Sequence, residues 1–257
     1  MIGLKLKEKF RRKEMVLGVG IEDLASPIIA KLMKRANFDW VHLELEHTQM
    51  NYETLFNFIN IANSVELPTI VKVPELSRAW VSRVMDFGAT GVRLPWTESR
   101  EEVEKLVKWV KYPPNGIRAV YLGANTDYLD MDVKEYIKRA NESTLVFAHV
   151  ETKKGIENLK DIAKVEDLDV IMVGPYDLSI SLGIAGEFEN PKLTEAIDKV
   201  IEVCERNGKV PGITVDNFSY GRFLIERGMR CLEIATDRGM LLEKAKEVIK
   251  QYESLRG

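Results

Sequence analysis

The chain of 257 residues has 37 Lys and Arg residues against 40 Asp and Glu residues, a formal net charge of −3. A nucleic-acid-binding protein usually has an excess of basic residues, so this balance argues against nucleic acid as a partner. Hydrophobic residues make up 45% of the chain, but every apolar run is much shorter than the roughly 20 residues of a membrane-spanning helix, and we expect no membrane partner.

Eight short apolar runs alternate along the chain with longer segments of helical periodicity. The runs comprise residues 16–21, 40–46, 69–73, 91–95, 145–150, 170–174, 210–215 and 231–236. This alternation is typical of a parallel sheet with crossover helices. Eight strands in a chain of this length predict an α/β fold, a (β/α)8 TIM barrel, as a single domain over residues 1–257. A doubly wound open sheet is the competing architecture, although no G-x-G-x-x-G motif follows the first run.

Capping signals predict where three of the helices begin. Ser26 followed by Pro27 is the cap-then-proline order of a helix start. Asn51 precedes a segment with apolar residues at helical spacing, and Ser99 with Glu102 has the spacing of a capping box.

One connection, residues 112–131, is long and rich in Pro, Gly and Asn. Ordered loops of this length are often functional, and we expect this one above the mouth of the barrel. Trp80 and Trp96 could line a substrate pocket or an interface, although core packing is the expected role of each.

In a barrel of this kind the active site lies at the carboxyl ends of the strands. The polar residues predicted at that end are Glu44, Glu46, His47, Lys72, His149, Glu151 and Asp177. Carboxylates that converge on one opening can bind a hard cation. Structural roles are the alternative: Asp177 could cap the turn that follows it, and Glu151 could pair with Lys153 or Lys154.

Six segments carry a resemblance to a known family. They are F-D-W-V-H-L-E-L-E-H (38–47), P-T-I-V-K-V-P (68–74), D-F-G-A-T-G-V-R-L-P (86–95), Y-P-P-N-G-I-R (112–118), H-V-E-T-K-K-G-I-E-N (149–158) and V-G-P-Y-D-L-S-I-S-L-G (173–183). In this order they resemble the HpcH/HpaI aldolase family, the metal-dependent pyruvate aldolases. The resemblance implies a lyase that makes or breaks a carbon–carbon bond, with pyruvate or a short 2-keto acid and an aldehyde as its small-molecule partners.

The resemblance also implies roles for individual residues. Glu151 and Asp177 fall on the family's ligands to a divalent metal such as Mg2+, Mn2+ or Co2+, which acts as a Lewis acid. His47 falls on its catalytic histidine, Glu44 on the acidic partner of that histidine, and Lys72 on the cation beside the enolate. The substrate contacts implied are Gly174, Pro175, Tyr176, His149 and Arg118. Arg118 could instead only brace its loop.

Four positions depart from the family pattern. Lys72 stands where the family usually has arginine, His149 where it has glutamine, Glu44 where it has aspartate and Ala119 where it has glycine. Lysine keeps the positive charge but loses the planar two-pronged donor of arginine. These departures leave three alternatives open: a CoA-ester lyase of the malyl-CoA or citryl-CoA type, a Schiff-base mechanism at Lys72, and a non-catalytic protein that binds a keto acid and a metal.

Assembly and location are also expectations. Family members form hexamers in which the last helix is exchanged between neighbours, so the resemblance implies a homo-oligomer, and residues 240–252 carry an apolar stripe at helical spacing. The stripe could instead pack on its own barrel. Cys204 and Cys231 lack metal-type spacing and the N-terminus lacks the apolar block of a secretory signal, which favours a cytoplasmic protein.

Overall fold

Each of the eight predicted apolar runs forms a parallel strand in the computed structural model, which describes residues 1–255. The strands are β1 Val16–Ile21, β2 Trp40–Glu44, β3 Thr69–Lys72, β4 Gly91–Leu94, β5 Leu145–Val150, β6 Val170–Val173, β7 Val210–Val215 and β8 Cys231–Thr236. Four match the prediction residue for residue, and the other four end one or two residues earlier. The last two residues of the predicted domain range, 256 and 257, lie outside the described residues.

The sheet closes on itself, because β8 pairs with β1 as well as with β7, and the strand order is β1 to β8 around the barrel. Its register joins Val16 to Cys231 at one end of that closing seam. The predicted (β/α)8 barrel is therefore confirmed, and the doubly wound open sheet is wrong.

Helices cover the outside of the barrel. They are α1 Ile2–Arg11, α2 Pro27–Arg35, α3 Tyr52–Ser64, α4 Arg78–Asp86, α5 Arg100–Val110, α6 Val133–Ser143, α7 Lys153–Glu157, α8 Leu159–Ile162, α9 Pro175–Ser181, α10 Pro191–Asn207, α11 Phe218–Arg227 and α12 Asp237–Ser254. The three predicted starts are confirmed: α2 follows Ser26, the Asn51 side chain caps α3, and Ser99 and Glu102 form the capping box of α5. Within the described part of the chain, no helix has both the length and the apolar content needed to cross a membrane.

Helix α1 was not predicted from the sequence. It packs against the amino-terminal end of the barrel, where its buried Leu6 joins an interior apolar cluster that includes Trp40, Phe147 and Met172. Gly3 lets this helix approach closely, because a Cβ there would lie 2.0 Å from the Ser143 carbonyl oxygen. The apolar cluster fills the amino-terminal half of the interior, so the polar side chains inside the barrel are confined to the carboxyl half.

The long connection after α5 does not lie above the mouth of the barrel, and that prediction is wrong. Helix α5 runs antiparallel to the strands, so the chain that leaves its carboxyl end is already at the amino-terminal end of the barrel. The loop packs there, because its residues Ala124 and Asn125 lie beside Gly88, just after the end of α4. The Gly88 carbonyl oxygen also accepts from the side chain of Asn63, near the end of α3.

Candidate active site

Glu151 lies at the carboxyl end of β5, beside the start of α9. Its Oε1 accepts a hydrogen bond of 2.7 Å from the Trp96 backbone N–H. Trp96 has a φ of 48°, a left-handed conformation that is uncommon for a bulky residue and often marks a functional turn. The Trp96 side chain is 56% exposed, so the expectation that it packs in the core is wrong. Its backbone fixes one oxygen of the Glu151 carboxylate.

The Glu151 carboxylate is buried, and no lysine or arginine among residues 1–255 forms an ion pair with it. Burial raises the pKa of Glu151, and nearby Asp177 raises it further, although Lys72 and the Trp96 N–H act in the opposite direction. The alternative pairing with lysine does not form, because Lys153 approaches Glu157 and Lys154 approaches Glu98.

Asp177 lies in the first turn of α9, which follows β6. It is exposed and forms no ion pair within residues 1–255. Glu151 and Asp177 therefore come from neighbouring strand ends, and each influences the charge of the other.

Gly174 lies between these two residues in the chain order of the site, and its neighbours leave no room for a side chain. A Cβ at this position would lie 2.6 Å from Glu151 Oε2 and 2.8 Å from His149 Nε2.

In the described chain no three His, Cys, Asp or Glu side chains form a metal-binding group. A cation here would have two carboxylate ligands and would take its others from water and substrate, which is the usual pattern for Mg2+. The residues present fit such an ion.

Lys72, the last residue of β3, lies between the carboxylates of Glu44 and Glu46 at the end of β2. Its Nζ is 3.2 Å from Glu44 Oε2 and 2.6 Å from Glu46 Oε2. Burial lowers the pKa of Lys72, but the attraction of Glu44 and the hydrogen bond to Glu46 outweigh it, and the net direction is upward. Lys72 therefore carries a positive charge next to Glu151.

The predicted pairing of His47 with Glu44 is not formed. His47 Nε2 is 3.3 Å from Glu46 Oε2, and the His47 side chain is largely exposed. Strand β2 ends at Glu44, whose side chain stays inside the barrel between Lys72 and His42. The chain then turns outward, and a hydrogen bond from the Glu46 N–H to Glu44 Oε1 stabilises this turn. Glu46 is the acidic neighbour of His47.

Arg118 lies at the opposite end of the barrel from Glu151. Its guanidinium donates to Asp86, the last residue of α4, and stacks on the Tyr112 ring. The predicted substrate contact by Arg118 is therefore wrong within this chain, and the residue braces its loop. The reason is the position of the loop after α5, described above.

Three buried residues of the interior were missed by the sequence analysis: His42, Arg93 and Glu233. Arg93 donates to Glu233 at 2.6 Å and to His149 Nε2 at 2.8 Å, and His42 Nδ1 is 3.0 Å from Glu233. The signal in the sequence is a charged or imidazole side chain in the middle of an otherwise apolar strand. Burial raises the pKa of Glu233, but His42 and Arg93 outweigh it and lower the pKa to about 2.

A cavity of about 630 Å³ opens beside α9. Tyr176, Phe188, Asp216 and Tyr220 contribute to its lining. The Tyr176 hydroxyl donates to Asp216 at 2.8 Å, and the Tyr176 ring contacts Phe188 edge to face. This cavity adjoins Gly174 through Pro175, and so offers room for a second substrate next to the carboxylates.

Several proteins to which this chain is similar in sequence or fold are named as aldolases. The chain is 28% identical over 248 residues to the hydroxypyruvate/pyruvate aldolase of Pseudomonas aeruginosa, covering 96% of this chain and 92% of that protein. It is 29% identical to the 5-keto-4-deoxy-D-glucarate aldolase of Shigella sonnei, covering 92% and 91%. The crystal structure of an HpcH/HpaI aldolase from Desulfitobacterium hafniense superposes with a TM-score of 0.92 at 28% identity, covering 96% of each chain.

The family model described as HpcH/HpaI aldolase/citrate lyase matches residues 23–241. This range takes in β2 to β8, all the strand ends described above and the start of α12. The chain belongs to the HpcH/HpaI aldolase/citrate lyase family, as its motifs predicted.

Proposed function

We propose that this chain is a metal-dependent aldolase that releases pyruvate, or another short 2-keto acid, and an aldehyde. One observation carries the proposal: the buried carboxylate of Glu151 has no lysine or arginine partner among residues 1–255, and Asp177 beside it is also unpaired. A buried carboxylate is costly without a compensating positive charge. Membership of this family and the aldolase names of the relatives support the same activity.

Glu151 and Asp177 would hold the divalent cation, which can be Mg2+, Mn2+ or Co2+. When bound, such a cation supplies Lewis-acid chemistry by drawing negative charge from the keto acid. Around it, the Trp96 N–H fixes the Glu151 carboxylate. Gly174, Pro175 and Tyr176 present the first turn of α9, whose N–H groups have no acceptor within the helix and can bind the carboxylate of the keto acid.

Lys72 would supply a positive charge beside the keto acid, and His47 would transfer the proton of the aldol hydroxyl. The Lys72 ammonium, held by Glu44 and Glu46, stabilises negative charge that develops on the keto acid. His47, exposed at the rim and oriented by Glu46, can move the proton of the aldol hydroxyl to and from solvent. The buried pair of Glu44 with Lys72 serves to hold the ammonium in place.

Two alternatives fit the site less well. A Schiff base needs Lys72 as a neutral amine, whereas two carboxylates hold it protonated. The relatives named above are aldolases, which supports aldol cleavage over the CoA-ester lyase.

We further propose a homo-oligomer, a hexamer by analogy with the family, in the cytoplasm. Helix α12 supports the assembly, because Leu241, Leu242, Val248 and Ile249 are each more than half exposed and do not pack on their own barrel. Cys204 and Cys231, both buried and unpaired, are compatible with a reducing compartment.

Exchange of the pyruvate methyl protons with deuterium tests the proposed activity, because it reports proton removal without any need to know the aldehyde. We expect exchange by the wild type with Mg2+, none with a chelator, and a loss on the order of 100-fold or more in Glu151→Ala. The exposed Glu157→Gln is the matched control and should exchange like the wild type.

Exchange that persists in Glu151→Ala would contradict the proposed metal site. If the wild type binds Mg2+ and oxalate but shows no exchange, the chain is the non-catalytic keto-acid protein instead.

A further inference from the structure

Arg93 crosses the interior of the barrel beneath the proposed metal site. It lies in β4 and is almost wholly buried, with 1% of its surface exposed. Its Nη1 donates to Glu233 Oε2 on β8, and its Nη2 donates to His149 Nε2 on β5 and, at 3.3 Å, to Thr214 on β7. One guanidinium thus links four strands of the barrel.

The contact between Arg93 and His149 fixes where the imidazole carries its hydrogen. A guanidinium has five N–H donors and no acceptor. At 2.8 Å from Arg93 Nη2, His149 Nε2 must therefore accept, and a neutral imidazole that accepts at Nε2 carries its hydrogen on Nδ1. The geometry alone selects one of the two tautomers.

The other nitrogen of His149 faces the site. His149 Nδ1 is buried, lies 3.3 Å from Glu151 Oε2 and makes no hydrogen bond within the described chain. A buried N–H without an acceptor is costly, so this nitrogen is suited to a ligand oxygen bound against Glu151. With its hydrogen on Nε2 instead, the ring would turn a lone pair toward the carboxylate.

We propose that Arg93 is a positioning residue: it holds His149 as the tautomer with hydrogen on Nδ1 and so presents an N–H donor, beside Glu151, to an oxygen of the bound keto acid. The part that concerns the keto acid rests on the proposed function. The tautomer itself does not, and it can be measured without metal or substrate.

The remaining members of the network keep Arg93 in place. Glu233 accepts from Arg93 through Oε2 and faces His42 Nδ1 through Oε1 at 3.0 Å. Replacing a buried ion pair by apolar residues is often neutral or stabilising, so fold stability alone does not explain this arrangement. A planar two-pronged donor that reaches Glu233 and His149 together is what arginine, and not lysine, supplies.

Solid-state 15N NMR of the metal-free protein, labelled on histidine and arginine, tests the proposal in an assembly of any size. The chain has three histidines, and the variants His42→Asn and His47→Asn assign their signals. We expect His149 to have a protonated Nδ1, an unprotonated Nε2, and a contact from that Nε2 to a guanidinium hydrogen. Hydrogen on Nε2, or on both nitrogens, in the wild type overturns the proposal.

Two variants separate positioning from a merely structural role. Arg93→Lys keeps the charge but loses the two-pronged donor and should hold the tautomer only in part, whereas Arg93→Met with Glu233→Gln removes the donor without leaving a buried charge, and His149 should then populate the Nε2–H form. A folded double variant with unchanged His149 signals contradicts the role of Arg93. If the double variant does not fold, the wild-type spectrum decides the matter. A wild type without a contact between His149 Nε2 and a guanidinium hydrogen contradicts the proposal.

A failure of the tautomer proposal can be distinguished from a failure of the proposed aldolase activity. If the site is an aldolase, the double variant should show a KM for pyruvate raised about tenfold, the effect of one hydrogen bond to a charged group. If the wild type shows the expected tautomer but no deuterium exchange of pyruvate, the tautomer assignment stands and the proposed function fails.

Discussion

Gly174 is the residue on which the geometry of the two carboxylates depends most directly. Its φ of −97° is open to any residue, so its conformation does not require glycine. Space does, because a Cβ would come within 2.8 Å of both Glu151 Oε2 and His149 Nε2. The Glu151 side chain is also tied to Trp96, and cannot move aside without losing that bond.

Gly174→Ala should therefore displace Glu151 and weaken metal binding by about tenfold or more, a typical loss when a residue that supports a metal ligand is changed. Calorimetric titration with Mn2+ measures this, with circular dichroism as the check on folding. Gly221→Ala is the control, since its Cβ would meet only side-chain methyl groups, of Leu232 at 3.2 Å and of Val215 at 3.5 Å. An unchanged Mn2+ affinity in Gly174→Ala contradicts the proposed ligand geometry.

Lys72 is predicted to act as a charge and not as a nucleophile. Its burial favours the neutral amine, but Glu44 and Glu46 reverse this and raise its pKa. Pyruvate with borohydride should then leave Lys72 unmodified in the mass spectrum, while Lys72→Met should lose deuterium exchange on the order of 100-fold and Lys72→Arg should retain part of it. A reduced pyruvate adduct on Lys72 is the result that favours the Schiff base.

At the scale of elements, helix α5 shows how a local signal fixes a boundary. The Ser99 side chain accepts from the Glu102 N–H, and the Glu102 carboxylate accepts from the Ser99 N–H. Both partners lie within one turn of each other, so the start of α5 could be predicted from the sequence. Ser77 precedes α4 in the same way but makes no capping hydrogen bond with its side chain.

Ser99→Ala should lower the free energy of unfolding by about 1 kcal/mol, because the Glu102 N–H loses its acceptor. Urea denaturation measures the change. Ser77→Ala is a matched control at a helix start without the capping bond, and should cost much less. Equal losses in the two variants would mean that the capping box does not stabilise α5.

Helix α12 contacts the barrel in its first turn, through Asp237 and the partly buried Met240, and its later residues are exposed. The buried Asp237 accepts from the N–H groups of Glu22, Asp23 and Leu24, which follow β1. The apolar side chains farther along, including Leu241 and Ile249, are exposed in the single chain. An apolar helical face of this kind needs a partner surface.

Leu241→Glu with Ile249→Glu should therefore reduce the size of the assembly measured by light scattering, while the barrel stays folded. Lys246→Glu introduces a similar charge at an exposed position outside this apolar pair and should leave the size unchanged. A wild type that is monomeric at micromolar concentration contradicts the proposed oligomer.

For the whole molecule, the buried network of His42, Arg93 and Glu233 makes the free energy of unfolding fall at acidic pH. The pKa of Glu233 is lowered from its ordinary value of 4.5 to about 2 because His42 and Arg93 outweigh the effect of burial. The folded state thus binds the proton less readily than the unfolded chain. The resulting stability is fully present above pH 4.5 and is lost as the pH falls toward 2.

The difference in the free energy of unfolding between the wild type and Glu233→Gln should therefore shrink by about 3 kcal/mol between pH 4.5 and pH 2. Urea denaturation across this range measures it. The exposed Glu157→Gln should show no such pH-dependent difference. A gap that stays constant from pH 6 to pH 2 would mean that Glu233 is not held ionised by the network.

The sequence by itself determined the eight strands, three helix starts, the family and the strand ends that carry Glu151 and Asp177. Strand periodicity and capping act between residues close in the chain, and they are visible without the fold. Only the tertiary structure decided that Glu44 pairs with Lys72 and not with His47, that Arg118 lies at the far end, and that Arg93 reaches His149. These positions depend on how distant segments are arranged around the barrel, and His42 and Glu233 are 191 residues apart when they meet inside it.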